Sequence, residues 1–323
     1  REKIKGNIPY YGANGIQGYI NNYIFDEELI LLAEDGGNFE EYQKRPIAYR
    51  ISGKSWVNNH AHILKAKAGY DQDFIFYSLV HKNIIAYIKG GTRSKLNQSE
   101  LREIEINYFP EDHQFKIAKI LNTADSVIAK TEAAIAKYKA IKQGMMQDLF
   151  TRGINPNTGQ LRPTYKDAPH LYKESELGWI PKEWEVRKLK DFLLLKSGDG
   201  ITSAKIRSQD DYEVFGGNGL RGYTNTYTHN GEFVLIGRQG ALCGNITYVN
   251  GKFYASEHAV VVTILDNSNY KWIEHKLILM DLNKYSEASA QPGLSVSKIQ
   301  KLKVSVPNGP EQKKIAARLI QIE

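Results

Sequence analysis

Tyr11-Gly-Ala-Asn-Gly-Ile-Gln-Gly-Tyr19 and Phe215-Gly-Gly-Asn-Gly-Leu-Arg-Gly-Tyr223 are one phrase written twice, 204 residues apart. The likeness extends outward from it. Leu29 to Gly36 (LILLAEDG) answers Phe233 to Gly240 (FVLIGRQG) at the same offset, and each reads as a buried strand running into a Gly-containing loop. After a six-residue slip the offset becomes 198, pairing Gly53-Lys54 with Gly251-Lys252 and His60-Ala61 with His258-Ala259. Helical spacing follows in each copy, over Asp71 to Lys89 and over Asn269 to Tyr285, and then Leu96 to Leu121 aligns with Leu294 to Leu319. Solenoid repeats run to roughly 20–50 residues, so a repeat this long means two copies of a whole domain with its trailing helix.

Each copy combines short strands, turn residues and one helix. The fold class this predicts is α+β, two pseudo-repeated β-rich domains with mostly antiparallel strands, separated by long coiled-coil helices. The first domain takes residues 1–112, and its Gly-rich phrase comes so early that the chain opens inside it. Residues 113–150 contain no Pro, and Ile117, Ala124, Thr131, Tyr138 and Met145 recur every seventh position. Leu121, Ile128, Ile135 and Leu149 fill most companion positions, with Lys142 the exception, which predicts one helix with a coiled-coil seam on the order of 55 Å long. Gly153, Pro156, Gly159, Pro163, Pro169 and Pro181 make 151–183 a linker, 184–308 the second domain and 309–323 the start of a second long helix. That second helix is the expected antiparallel partner of the first.

Composition narrows the function classes. Hydrophobic residues at 41% and charged residues at 24% exclude a mainly disordered chain. The single cysteine, Cys243, cannot form an intrachain disulfide, no leader-like segment opens the sequence, and apolar runs are strand-sized; the expected setting is the cytoplasm, without a membrane. A net charge of +7 admits a polyanionic partner, yet residues 1–112 carry −1 and residues 113–153 carry +4. Any contact with such a partner in the first domain must therefore come from locally placed donors.

Motifs of catalysis fail on context. Gly217-x-Gly219-x-x-Gly222 matches a dinucleotide fingerprint, but Tyr223-Thr-Asn-Thr-Tyr227 follows where a helix N-terminus is needed. Gly53-Lys54-Ser55 resembles the tail of a phosphate loop but has Ala48 where the first Gly should stand, so it reads as a hairpin tip with no ATP site. The Asn/Asp-Pro-Pro-aromatic run of amino-methyltransferases is absent, Asn155-Pro156-Asn157 being the nearest string. His60 and His258 are matched, but His62 faces Val260 in the second copy, so structural histidines are expected and no metal site.

Taken in order, the Tyr-Gly-x-Asn-Gly-x-x-Gly-Tyr element of both copies, Lys142-Gln-Gly-Met-Met-Gln-Asp-Leu-Phe-Thr151, Gly178-Trp-Ile-Pro-Lys-Glu-Trp184 and Glu311-Gln312 resemble the specificity subunits of type I restriction-modification systems across essentially the whole chain. The resemblance implies two target-recognition domains that each read half of a split double-stranded DNA sequence, held apart by paired helices. It implies as partners two methyltransferase subunits and restriction/motor subunits. It also implies no chemistry and no cofactor in this chain, S-adenosylmethionine, ATP and Mg belonging to those partners.

Comparing the copies sorts the candidate DNA-binding residues. Shared positions, Asn14 with Asn218 and Lys54 with Lys252, suit scaffold or phosphate contacts, because phosphates carry no sequence information. Polar positions that differ suit base reading: Gln17 against Arg221, Glu34-Asp35 against Arg238-Gln239, and Asn58-Asn59 against Ser256-Glu257. Arg93, Lys95 and Asn97 against Gln291, Gly293 and Ser295 complete the set. Arg suits guanine, and Asn or Gln suits adenine, through paired hydrogen bonds in the major groove. Two other readings stay open at this point: the target-recognition portion of a single-chain restriction-methyltransferase, and a paired binding module for a ligand other than DNA, such as carbohydrate.

Overall fold

The computed structural model describes residues 6–90, 94–287 and 292–321. It divides into two compact units, one up to Ile135 and one from Ala136. In the first unit β1 (Ile8–Gly12), β2 (Gly15–Ile20), β3 (Phe25–Asp26), β4 (Leu29–Ala33), β5 (Ala48–Ile51), β6 (Lys54–Val57) and β7 (Ala61–Leu64) precede α1 (Gln72–Leu79) and α2 (Gln98–Arg102). They form two sheets, ordered β2-β1-β6-β3 and β5-β4-β7. Gly53, at φ +69°, turns the chain between β5 and β6, but these strands lie in different sheets, so the expected hairpin tip is a crossing from one sheet to the other.

The long helix α3 spans Glu111–Thr151. Segment 151–183, expected as a linker, is folded: β8 (Tyr172–Ser175) and β9 (Gly178–Pro181) form a hairpin, and Ile154 and Ile180 sit in the core of the second unit. That unit continues with β10 (Glu185–Lys188), β11 (Leu193–Ser197), β12 (Tyr212–Gly216), β13 (Gly219–Thr224), β14 (His229–Gly237), β15 (Ile246–Ala255) and β16 (Ala259–Ile264). It closes with α4 (Tyr270–Leu279), α5 (Val296–Ile299), β17 (Lys303–Val306) and α6 (Gly309–Ile320). One sheet runs β11-β16-β14-β15-β12-β13, and β10 pairs with β17. Read from its other edge this sheet is β13-β12-β15-β14-β16-β11, the order of the first copy with β15 continuous where β5 and β6 are separate and β14 continuous where β3 and β4 are separate; β11 has no counterpart among the described residues of the first copy. Antiparallel pairing dominates, but the copies share a matched parallel pair, β1 with β6 and β12 with β15. The helical stretches are shorter than their apolar spacing predicts, since α1 ends at Leu79 and α4 at Leu279 before short 3-10 turns.

The central strand decides each core. In β4 every residue is buried, so its alternating side chains serve two layers. Ile30 and Leu32 pack with Phe76 and Leu79 of α1, while Leu29 and Leu31 pack with Ile51 and Val57. Val234 and Ile236 of β14 face Trp272 and Leu277 of α4, and Leu235 faces Phe215 and Phe253.

A matched glutamine ties each trailing helix to its own domain. Gln114 Oε1 accepts from Asp71 N at 3.0 Å and its Nε2 donates to Phe109 O at 2.7 Å. Gln312 repeats this with Asn269 N at 2.9 Å and Pro307 O at 3.0 Å. Asp71 and Asn269 in turn cap α1 and α4. Beside these glutamines Ala118 of α3 and Ile315 and Ala316 of α6 are buried, and Ile117 is half-buried rather than part of an open seam. Further along α3, Leu121, Ile128 and Ile135 are exposed, whereas Leu149 is buried in the second unit.

Candidate nucleic-acid interface

Four loops meet at one end of each domain. In the first, Ala13 and Asn14 form the two-residue turn between β1 and β2, made possible by Gly15 at φ +108°. The others are 34–37 after β4, 58–60 after β6, and 94–97. Backbone bonds fasten them: Glu34 N donates to His60 O (2.9 Å), Leu96 N to Glu34 O (2.7 Å), Gly36 N to Ser94 O (3.1 Å) and Asn58 N to Tyr11 O (2.9 Å). The second domain makes the same four bonds at the matched residues. Arg238 N donates to His258 O (2.8 Å), Leu294 N to Arg238 O (2.9 Å), Gly240 N to Pro292 O (2.9 Å) and Ser256 N to Phe215 O (2.9 Å). Bridges Asp35 to Lys95 and Gln239 to Gly293 are likewise matched.

On this common frame the side chains differ. In the first copy they form a connected polar cluster: Asn14 Nδ2 donates to Gly36 O (2.9 Å), Asn58 Nδ2 approaches Gln17 Oε1 (3.4 Å), Lys95 Nζ meets Glu34 (3.2 Å), and His60 Nδ1 lies 3.0 Å from Asp35. Asn14, Gln17, Asn59 and Lys95 are exposed, while Glu34, Asp35, Asn58 and Asn97 are half-buried. Tyr49 supports the cluster from beneath by donating to Gly12 O, and burial pushes its hydroxyl up to about 12, so it remains a donor.

In the second copy the turn lies closer to its neighbour. A Cβ on Gly217 would stand 2.6 Å from Gln239 O, and one on Gly237 would stand 2.0 Å from Gly217 O, where the first copy has Ala13 and Ala33. The glycines of the apparent dinucleotide fingerprint therefore serve a turn between strands packed on a neighbouring loop. Asn218, Arg221, Gln239 and Lys252 are exposed; Arg238, Glu257 and Ser295 are half-buried. Arg238 Nη1 donates to Ser197 Oγ (3.1 Å), Glu257 accepts from Ile201 N (3.3 Å), and Ser295 caps α5 in backbone position only, its hydroxyl meeting Ser297 at 2.8 Å.

One expectation changes. Ser256 is fully buried, with its hydroxyl enclosed, so it supports the loop and has no face to offer a groove. Lys54 and Lys252 stand outside the loop clusters, four residues up β6 and β15 from positions 58 and 256, about 13 Å along a strand. There each ammonium lies over a matched exposed tyrosine, Lys54 over Tyr23 (4.7 Å) and Lys252 over Tyr227 (4.9 Å). Arg93 and Gln291 lie outside the described residues. His62 Nε2 meets Leu96 O at 2.7 Å, giving it a structural partner. Among the described residues no helix is long and apolar enough to cross a membrane.

Comparison with known proteins follows the same division. The family model of the type I restriction modification DNA specificity domain matches residues 1–140 and 181–323. The EcoprrI specificity subunit of Escherichia coli is 43% identical over 159 residues, covering 48% of this chain and 38% of that protein. A putative type I restriction enzyme specificity subunit of Haemophilus influenzae is 25% identical over 99% of this chain and 81% of its own length. Among solved structures, the type I restriction-modification S subunit from M. genitalium shares the fold with a TM-score of 0.64 at 16% identity, covering 100% of this chain and 84% of that one. With the model matching both repeats, the chain belongs to the type I restriction-modification DNA specificity family, the non-catalytic subunits that select the DNA target.

Proposed function

We propose that this chain reads a two-part double-stranded DNA target, one half-site per domain, through the loop clusters around Gln17 and Arg221. The observation that carries this is the pairing of an identical backbone frame with different side chains. Four matched backbone bonds hold each cluster, while Glu34-Asp35 is exchanged for Arg238-Gln239 and Gln17 for Arg221. A frame kept constant under changing donors and acceptors is what two readers of different base sequences need, since base edges specify and phosphates only position. The matched Lys54–Tyr23 and Lys252–Tyr227 pairs, set back from the clusters, suit the sequence-independent phosphate contacts.

In this reading α3 sets the distance between the half-sites, and its exposed Leu121, Ile128 and Ile135 take a partner helix. The chain acts in the cytoplasm within a complex of two methyltransferase subunits, which use S-adenosylmethionine, and motor-nuclease subunits, which use ATP and Mg. Co-expression with the methyltransferase subunits of its own system, followed by genome-wide mapping of methylated adenines, tests the proposal. A motif of two short blocks with a fixed unread gap is expected; a single continuous motif, or none, would overturn it.

A further inference from the structure

We infer that Arg50 is a positioning residue: it is the hub of a polar joint that fixes the angle of the first domain on α3. Arg50 stands on β5, outside the loop cluster. Its Nη1 donates to Asp73 Oδ1 of α1 (2.6 Å) and to Asn122 Oδ1 of α3 (2.7 Å), and its Nη2 lies 3.7 Å from Asp125 Oδ2 of α3. Asn122 Nδ2 returns to Asp73 Oδ2 (2.5 Å), and Tyr77 Oη of α1 reaches both Asn122 Oδ1 (2.9 Å) and Asp125 Oδ2 (2.6 Å). Strand, domain helix and long helix are thus joined in one closed network around a single guanidinium.

An isolated ion pair at this exposure would contribute little, because water screens it and two flexible side chains must be ordered. Here the guanidinium is preordered by stacking, 4.4 Å from the Phe76 ring centroid and 5.1 Å from that of Tyr77, so its fork of donors is aimed before the helix engages. The second copy shows that the fold does not require the device. Ile30 pairs with Arg50 where Val234 pairs with Tyr248, so Tyr248 is the matched residue. Lys271 stands at the position of Asp73 and lies 3.7 Å over the Tyr248 ring, and Ile320 stands at the position of Asn122. A joint built of polar groups in one copy and replaced in the other points to a demand particular to the first domain. Lever arithmetic supplies the reason: a slip of roughly 10° at Asn122 would move the far end of α3 by about 8 Å.

Spin labels at Lys44→Cys and Glu132→Cys in a Cys243→Ser background would measure the joint by pulsed electron resonance, without DNA. One narrow distance distribution is expected, and Arg50→Met or Asn122→Ala should at least double its width. Asn122→Ala leaves every domain residue in place, so it keeps the test decisive if Arg50→Met does not fold. A merely structural Arg50 would lower the melting temperature and leave the width alone; unchanged width in Asn122→Ala would overturn the inference. Its consequence for spacing rests on the two-part DNA reading: the variants should accept spacers one base pair longer or shorter while keeping both half-site preferences. If the unaltered chain selected no two-part site, that reading would fail while the distance measurement still judged the joint.

Discussion

Arg162 and Glu311, 149 residues apart, form an enclosed ion pair, with 6% and 0% of their side-chain surface exposed and Nη2 3.0 Å from Oε2. Glu311 also accepts from Trp184 Nε1 (3.1 Å) and Ile154 N (2.9 Å), so one carboxylate fastens 151–184 to the first turn of α6. Gly153, at φ +67°, lies so close that a Cβ there would stand 2.2 Å from Glu311 Oε1.

Removing one partner of such a pair leaves the other charge buried, which costs about 3–5 kcal/mol. Glu311→Gln should therefore lower the urea stability of the second unit by that amount and change Trp184 fluorescence, while the transition of the first unit stays where it was. A loss below about 1 kcal/mol would mean that Arg162 finds solvent or Glu183, 3.6 Å away, instead.

Little of this joint was legible in the sequence. Glycine and proline spacing read 151–183 as a linker, but such residues mark where a chain turns and not whether the turns pack. Arg162 gave no signal because its partner lies 149 residues away. Ser256 looked like a polar reader for the same reason: its burial is set by strand pairing across the sheet. What the sequence did carry was whatever the repeat duplicates: the buried strands that open Leu29–Gly36 and Phe233–Gly240, the Gly-rich phrases around Gly15 and Gly219, and the glutamines at 114 and 312. The Arg50 joint, present once, was invisible to that comparison.

Lys276 gives a pH dependence. Burial among Trp272, Phe192 and Leu277 pushes its ammonium down to about 8, with the Phe150 ring 5.4 Å away. Below about pH 8 both folded and unfolded chains carry the proton, and the folded state bears the full desolvation cost. Between about 8 and the ordinary lysine value the unfolded chain binds more protons, so this group makes stability rise with pH. Lys276→Met should be more stable than the unaltered chain at pH 7 by about 1–2 kcal/mol, the shift being discounted for partial exposure, and the gap should close by about pH 10. A gap constant across that range, in chemical unfolding at each pH, would contradict the assignment.

Arg221 and Gln17 occupy matched positions on opposite copies, which allows a one-sided test. Arg221→Ala should relax base preference in one half-site by about 1–3 kcal/mol and leave the other intact. Arg238→Ala should act on the same half-site, with an added loss of loop order because its side chain is tied to Ser197. Selection from a library randomised in both halves would display this. Equal loss in both halves would assign the two arginines to folding.

Lys54 and Lys252 should behave differently from any base reader. Each sits over a tyrosine ring, a contact that holds the long side chain in place yet leaves ammonium hydrogens for a phosphate oxygen. A phosphate contact releases about one counterion, so log K should fall less steeply with log salt by about 0.9 for each lysine removed. Lys54→Ala and Lys252→Ala should thus weaken binding to every sequence alike, and the double variant should lose twice the slope. Tyr23→Phe keeps the ring and should keep the slope, whereas Tyr23→Ala frees the lysine and should weaken binding without lowering the slope by a full unit. Fluorescence titration of a labelled duplex at several salt concentrations measures these slopes directly. A slope unchanged in the double variant, or a loss confined to one base sequence, would remove both lysines from the phosphate side of the interface.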